Sequence, residues 1–288
     1  MRDLNYQLKQ LCARNRDGSY STQANRQRIL DLVARQLSAM GFRRMSTHSL
    51  KPKHVDALVK HWMSEGMTPG TIKNRMNCLR WWAAKVDRRN VIARANDFYG
   101  IPDRQFVSNT SKATAVKETQ LEEIKDDYVR MSLELQRVFG LRREEAIKFI
   151  PRFADQGDHI VLKASWTKGG KERVIPLLTT SQRDVLDRAH RLAGAGALIP
   201  SGKQYIQQLR VYERHTTQAG LSRLHGLRHA YAQQRYRDLT GWLAPAAGGP
   251  TTADLSSQQK KQDHIARLTI SQELGHVREQ ISAVYLGR

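Results

Sequence analysis

Cysteine is scarce in this chain. Cys12 and Cys78 are the only two among 288 residues, and neither lies in a pair with the spacing of metal ligands. Two thiols do not build a disulfide framework, so the sequence favours a reducing, cytoplasmic compartment. No apolar stretch approaches the length of a membrane span, and the N-terminus lacks the hydrophobic core of a signal peptide. The sequence therefore predicts no membrane partner and no disulfide scaffold.

Several motifs of common nucleic-acid enzymes are also missing. The chain has no glycine-rich P-loop, no Asp/Glu triad with metal spacing and no Cys/His zinc pattern. These absences argue against an ATPase, a metal-dependent transposase and a zinc-finger regulator. We expect neither a metal nor a cofactor.

Acidic residues are few relative to basic ones. The chain holds 48 Lys and Arg against 27 Asp and Glu, a formal net charge of +21. Residues 1–100 carry 19 basic and 7 acidic residues, and the remainder carries 29 and 20. Such a surplus on a globular chain favours a polyanionic partner, with nucleic acid as the first candidate. Because both parts are basic, the sequence predicts a clamp with two DNA-facing surfaces and salt-sensitive binding.

Apolar side chains at helical spacing predict three helices in the first hundred residues. The first spans residues 21–40 and the second spans 52–64, with a proline in its first turn. The third opens at Thr68 and continues to Val86, with basic side chains on its outer face. These helices predict a small all-helical N-terminal domain, residues 1–100.

Residues 101–116 have little periodicity and many Ser and Thr, which predicts a linker. Residues 117–288 are predicted to form a second domain, mainly α-helical with a small antiparallel β element. Its strands are expected at 159–165 and 172–177, on either side of a hairpin tip at 168–171.

The second domain contains five short polar motifs in a fixed order. They are Gly140-Leu141-Arg142-Arg143-Glu144-Glu145, Thr167-Lys168-Gly169-Gly170-Lys171-Glu172-Arg173, His225-Gly226-Leu227-Arg228-His229, Leu274-Gly275-His276 and Tyr285. Arginines hold a phosphodiester through planar, permanently charged contacts. Lysine and histidine can move protons, and tyrosine can attack phosphorus.

The order and context of these motifs resemble the tyrosine recombinase (phage integrase) family over roughly the last 175 residues. The resemblance implies an N-terminal helical core-binding domain followed by a recombinase catalytic domain. It also implies a set of catalytic residues: Arg142, Lys168, His225, Arg228, His276 and Tyr285.

Each of these residues takes a role from the resemblance. The two arginines would stabilise the transition state, and Lys168 would protonate the leaving 5′ oxygen, with Lys171 as its competitor. His225 would accept or donate a proton, while His276 would bond the phosphate. Tyr285, nine positions after His276, would be the nucleophile. Glu145 would orient the first arginine, or else be a simple surface carboxylate.

A looser likeness to the family's core-binding domain covers Thr71–Arg75 and Leu79–Trp82. It implies a helix whose basic face lies against DNA, with Lys73, Arg75 and Arg80 as contacts. An amphipathic helix with a solvated basic face is the alternative.

We therefore expect a DNA recombinase that works through a 3′-phosphotyrosine and needs no cofactor. It would serve a bacterial mobile element in the cytoplasm, in association with the nucleoid. Its expected partners are double-stranded DNA with inverted half-sites, its own copies in a tetramer, and accessory DNA-bending proteins. Two alternatives stay open: a regulator that binds DNA without cutting it, and an activity like that of type IB topoisomerases or resolvases.

Two features depart from the family pattern. Residues 240–262 are the least regular part of the second domain and predict an inserted loop or flap. The sequence ends three residues after Tyr285. We expect either that assembly uses another surface, such as 240–262, or that the sequence is truncated.

Overall fold

The computed structural model describes residues 3–276 and 278–288, without the side chain of residue 3. The chain divides into two compact units, Met1–Gln105 and Phe106–Arg288. Residues 106–116 group with the second unit, and the expected boundaries at 100 and 116 stay a prediction. None of the described helices is both long and apolar enough to cross a membrane.

Four helices build the first unit. They are α1 (Asp3–Arg14), α2 (Tyr20–Ala39), α3 (Pro52–Ser64) and α4 (Pro69–Lys85). The hydroxyls of Ser19 and Thr68 cap the N-termini of α2 and α4, as these residue types do when they precede a helix. The three predicted helices agree with the structure to within about two residues. Helix α1 was not predicted, although Leu4 and Leu8 are buried on one of its faces.

The second unit is mainly helical and contains one two-stranded sheet, as predicted. Its helices are α5 (Glu118–Glu123), α6 (Asp127–Phe139), α7 (Arg143–Ile147), α8 (Pro151–Ala154), α9 (Thr180–Ala193), α10 (Tyr205–Gln218), α11 (Gly226–Thr240), α12 (Ser257–Glu273) and α13 (Ala283–Leu286). Strands β1 (His159–Leu162) and β2 (Arg173–Pro176) pair antiparallel. Apolar side chains from α6, α9, α11 and α12 form the core beneath this sheet.

The predicted strands were too long. The first strand ends at Leu162, which pairs with Arg173, so ten residues connect the strands. The predicted tip is still a turn within this longer loop, because the N–H of Gly170 donates to the carbonyl oxygen of Thr167 at 3.2 Å. A short 3₁₀ turn, Ala164–Trp166, leaves the ladder because Trp166 is buried against the rings of Phe149 and Phe153. Burial of this large ring removes apolar surface from water and stabilises the turn.

Residues 240–262 are only partly a loop. Ala244 and Ala246 are buried in the core, and Pro245–Ala247 form a 3₁₀ turn. The expected loop ends early because Ser256 and Gln259 form a capping box that starts α12 at Ser257. Whether this segment is an insertion relative to the family stays a prediction.

Candidate active site

The hydroxyl of Tyr285 lies at the centre of the candidate site. Tyr285 is on α13 and is 5% exposed. Its oxygen accepts a hydrogen bond from Nε of Arg228 at 3.3 Å and lies 3.4 Å from Nε2 of His276. The rings of His229 and His225 lie 4.7 and 6.0 Å from the tyrosine ring. The structure thus brings together the end of the chain, the start of α11 and the turn after α12.

Arg228 is almost completely buried, with 1% of its surface exposed. Its guanidinium donates to the carbonyl oxygen of Gly140 at 2.6 Å and to that of Leu274. Burial, together with the positive charges of Arg173 and Arg142, lowers its pKa to about 10. At neutral pH the group therefore keeps its charge, in a region where water cannot screen that charge fully.

Glu145 holds two of the arginines together. Its carboxylate is completely buried and accepts 2.7 Å hydrogen bonds from the backbone and the guanidinium of Arg142. Nη2 of Arg173 donates to the same carboxylate at 2.7 Å. Burial raises the pKa of Glu145, but the charges of Arg173, Arg228 and Arg142 outweigh it, so the pKa is lowered. Glu145 is therefore ionised at neutral pH and is not a surface carboxylate.

The carbonyl oxygen of Leu274 is a second meeting point of the same arginines. It accepts hydrogen bonds from Arg142 at 3.4 Å, from Arg173 at 3.2 Å and from Arg228. Leu274 is the capping residue that follows the last turn of α12, where carbonyl groups lack helical partners and the helix dipole is negative. The C-terminus of α12 therefore helps to offset the repulsion among three closely spaced cations.

The backbone conformation at position 275 explains why the Leu-Gly-His motif contains a glycine. Gly275 has φ +68°, which side chains of L-residues rarely adopt, and it ends α12 in a left-handed conformation. A Cβ at this position would lie 2.9 Å from Cδ of Arg173. Glycine thus lets the chain turn sharply while Arg173 passes beneath it, and this turn delivers His276 to Tyr285.

The three histidines of the site are neutral at neutral pH. Burial and the charges of Arg228 and Arg142 lower the pKa of His276 to about 4. Burial and His225 lower the pKa of His229 to about 4 as well. The pKa of His225 is also lowered, by desolvation of its ring and by Arg228 and Arg142, although the residue keeps an exposed edge. Neutral imidazoles beside a phenol can accept its proton.

Lys168 lies apart from this cluster. It is exposed in the turn between β1 and β2 and makes no hydrogen bond or ion pair with the part of the chain that the structure describes. Lys171, its competitor, is exposed in the same segment. The structure brings four other predicted catalytic residues around Tyr285, namely Arg142, His225, Arg228 and His276. The choice between the two lysines is left to experiment.

The predicted DNA contacts of the first unit lie on α4 and have partners within that unit. Nζ of Lys73 forms a 2.9 Å ion pair with Asp103, which is fully exposed. The guanidinium of Arg75 lies over the ring of Trp62, and burial lowers its pKa. Arg80 donates to the backbone oxygen of Ala93 and to Asn96. Of the three side chains, Lys73 has the partner that solvent can most readily replace.

Sequence reasoning missed Arg173 as a site residue. Arg173 is the last residue of the Thr167–Arg173 motif, and the resemblance assigned it no role. Arg173 is 3% exposed on β2 and forms a buried ion pair with Glu145, which is 28 positions earlier in the chain. A usable signal was the charged residue at an inward position of a strand that alternates buried and exposed. A buried charge at such a position needs a buried partner.

No metal site accompanies this cluster. Within residues 3–276 and 278–288, no group of three or more His, Cys, Asp or Glu side chains is placed to hold an ion.

Two family models match the chain. The model described as "Phage integrase, N-terminal" matches residues 1–92, and the model described as "Integrase" matches residues 104–234. No curated protein matches the chain by sequence.

Solved structures of DNA complexes are similar to the chain over its whole length. A lambda integrase dimer bound to a COC′ core site is 16% identical with a TM-score of 0.63, covering 99% of this chain and 96% of that chain. XerH recombinase in a post-cleavage complex with difH is 19% identical with a TM-score of 0.58, covering 99% and 81%. Tn1549 transposon integrase on circular-intermediate DNA is 13% identical with a TM-score of 0.56, covering 100% and 96%. At these identities the likeness shows the fold, and the predicted recombinase fold is confirmed.

Proposed function

Because this chain belongs to the tyrosine recombinase (phage integrase) family, we propose that it is a site-specific DNA recombinase that cuts and rejoins strands through a 3′-phosphotyrosine. One observation carries the proposal: the hydroxyl of Tyr285 lies within 3.3 Å of Arg228 and 3.4 Å of His276, beside a cluster of three arginines, two of which share the carboxylate of Glu145. That excess of positive charge suits a phosphodiester. A protein that only binds DNA has no need for a phenol at this position.

The first chemical step follows from the positions of these groups. Oη of Tyr285 attacks phosphorus, the bond from phosphorus to the 5′ oxygen breaks, and a 3′-phosphotyrosine forms. The phenol's proton passes to a neutral imidazole of the site, and the leaving 5′ oxygen takes a proton from Lys168. The new bond conserves the energy of the old one, so the reverse attack by a 5′ hydroxyl rejoins the strand without ATP.

The arginines differ in how they can serve this step. Arg142 keeps 20% of its side chain exposed, so its guanidinium is accessible to an incoming phosphate. Arg228 is buried and bonds the phenol directly. We assign Arg142 to the non-bridging oxygens and Arg228 to both the phosphate and the nucleophile. Preorganised charges of this kind stabilise the transition state because they need no rearrangement when negative charge develops.

The proposal extends to partners and setting. We propose that residues 1–100 form a core-binding domain, that 101–116 link it to the catalytic domain at 117–288, and that inverted half-sites on double-stranded DNA bring four copies together. The basic surplus of both parts supports a clamp. Lys73 can exchange Asp103 for a phosphate, whereas Arg75 and Arg80 would first have to give up contacts within their own unit. A mobile element, a cytoplasmic setting at the nucleoid and accessory DNA-bending proteins belong to the same proposal.

A suicide DNA substrate tests the enzyme against the regulator. Duplexes from the sequence flanking the gene are nicked near the cleavage point, so that the cut fragment is lost and the adduct accumulates. The wild type should give a covalent protein–DNA band on a denaturing gel. Tyr285→Phe should give none while binding the same DNA. Tyr128→Phe, which removes a phenol outside the site, is the matched control and should keep the band.

The outcomes separate the alternatives. Specific binding without any band for the wild type would favour the DNA-binding regulator. A band together with relaxation of supercoiled plasmid, but without strand exchange between two duplexes, would favour the topoisomerase-like activity. A band that Tyr285→Phe abolishes, together with recombinant products, supports the recombinase.

A further inference from the structure

An irregular segment, residues 109–114, lies against α11 and against Arg288, which follows the helix that carries Tyr285. This segment has no helix or strand, and it begins four positions after the boundary between the two units. The backbone N–H of Thr114 donates to the carbonyl oxygen of Gly226 at 3.2 Å. A Cβ at Gly226 would lie 2.4 Å from Oγ1 of Thr114, so only glycine allows this close approach beside His225. The 109–114 segment is therefore packed directly on the start of α11.

The other end of the 109–114 segment holds the end of the chain. Nδ2 of Asn109 donates to the backbone oxygen of Arg288 at 2.8 Å, and Oδ1 accepts from the backbone N–H of Arg288 at 2.9 Å. One amide side chain thus satisfies both polar backbone groups of a residue three positions after the tyrosine. These two hydrogen bonds are like the pair that two backbone residues exchange in an antiparallel sheet, but here a side chain makes both of them.

Between these two anchors, Gln233 on α11 connects the segment to the nucleophile itself. The hydroxyl of Ser111 donates to Oε1 of Gln233 at 3.0 Å. Nε2 of Gln233 donates to the carbonyl oxygen of Tyr285, also at 3.0 Å. The amide therefore uses its acceptor toward the segment and its donor toward Tyr285, and it is half-buried between them.

These contacts matter because α13 cannot hold its own position. Ala283–Leu286 is a single helical turn, and a turn of this length is not stable without tertiary contacts. The buried Arg267 of α12 also donates to the carbonyl oxygen of Gly287 at 2.9 Å and is itself fixed by Asp263. The polar groups that follow the tyrosine are thus held by two separate elements, the 109–114 segment and α12.

The contacts made by α12 and those made by the 109–114 segment differ in strength. The Arg267 contact is buried and charged, on the 17-residue helix α12. Asn109 and Ser111 are exposed residues of an irregular segment, whose hydrogen bonds open at a lower free-energy cost. Displacement of the 109–114 segment would therefore release one side of α13 before the rest of the catalytic unit opens.

We propose that the 109–114 segment positions Tyr285, and that Asn109 and Gln233 are the residues that link the segment to the backbone around the tyrosine. In this arrangement the segment that follows the first unit in the chain keeps the phenol against Arg228 and His276, and its displacement withdraws the phenol from them. The effect on cleavage rests on the proposed recombinase function, but the effect on α13 does not.

Hydrogen–deuterium exchange tests the structural part in the full-length protein without DNA. Asn109→Ala and Gln233→Glu should both raise the exchange rate of amides 285–288 about ten-fold, because each removes contacts to this backbone. Gln233→Glu keeps an acceptor for Ser111 and loses only the donor to Tyr285. Gln234→Ala is the matched control, because this adjacent exposed residue has its side-chain hydrogen bond with Asp238, and it should leave these amides unchanged. Equal exchange in all four proteins would overturn the proposal.

Single-turnover cleavage of the suicide substrate tests the functional part. Both variants should form the covalent adduct about ten-fold more slowly than the wild type, with unchanged DNA affinity and thermal unfolding. A wild type that cuts and variants that match it would overturn the positioning role alone. A wild type that never cuts would defeat the recombinase assignment instead, while the exchange result still decides whether the 109–114 segment holds α13.

Discussion

Replacing Glu145 by glutamine is the sharpest perturbation of the arginine cluster. Arg142, Arg173 and Arg228 converge on one carbonyl oxygen, and the Glu145 carboxylate is the negative charge that two of them share. Glutamine keeps the shape but removes the charge, and its NH₂ group must face a guanidinium. Removing one partner of a buried ion pair costs about 3–5 kcal/mol, because the remaining charge stays buried without compensation. We expect the free energy of unfolding of the second unit to fall by that amount.

The neighbouring residue supplies a matched control. Glu144 pairs with Lys148 at the surface, where the two side chains are 52% and 26% exposed. Glu144→Gln removes the same charge one position away and should cost less than about 1 kcal/mol, since exposed pairs contribute little. Urea unfolding at pH 7.5 measures both variants, and Trp166 and Trp242 report on the second unit. Equal losses for the two variants would refute the view that Glu145 neutralises the cluster.

The pH dependence gives an independent check of the same reasoning. The pKa of Glu145 is lowered in the folded state, so its stabilising effect is complete above the unfolded value of about 4.3. That effect is lost as the pH falls through the lower folded value, because only the unfolded state readily takes up the proton. The wild type should therefore lose more stability than Glu145→Gln on acidification through this range. Parallel curves would contradict the assignment.

Two further predictions concern the proton-transfer groups. Lys168→Ala should abolish adduct formation on ordinary DNA and recover it on a substrate with a 5′-bridging sulfur, which leaves without a proton, whereas Lys171→Ala should cleave both substrates. Recovery in neither variant, or in the Lys171 variant alone, would reassign the acid. The pKa of His229 is about 4 when folded and about 6.5 when unfolded, so stability present above pH 6.5 is lost as the pH falls toward 4, by up to about 3 kcal/mol. His229→Asn should remove that share of the slope in urea titrations at pH 4–7, and an unchanged slope would show that His229 does not cause it.

Local signals allowed part of the fold to be predicted. Apolar periodicity and nearby Gly and Pro, which act within a few residues, predict the helices at 21–40 and 52–64. Helix α1 and the early end of β1 could not be predicted in this way, because they depend on tertiary contacts. Trp166 leaves the strand for a pocket formed by Phe149 and Phe153, and no local rule encodes that pocket.

The candidate site divides in the same way. Short motifs such as His225–Arg228 and Leu274–His276 pointed to residues that the structure does bring together around Tyr285. The buried position of Arg173 could not be predicted, because it depends on an ion pair with Glu145, 28 positions away. In a basic chain, the local sequence around Arg173 is typical of surface charge. The contacts of Gln233 could not be predicted for the same reason, since they join segments more than 50 and more than 100 positions apart.

In the proposed reaction Tyr285 becomes joined to a 3′ phosphate of DNA. After the wild type has reacted with a suicide substrate, nuclease and protease digestion followed by mass spectrometry locates the nucleotide on one peptide. We predict a single modified peptide that contains Tyr285, linked to the nucleotide through its 3′ phosphate. A 5′ linkage, or attachment to another tyrosine such as Tyr231, would contradict both the assigned nucleophile and the geometry that supports it.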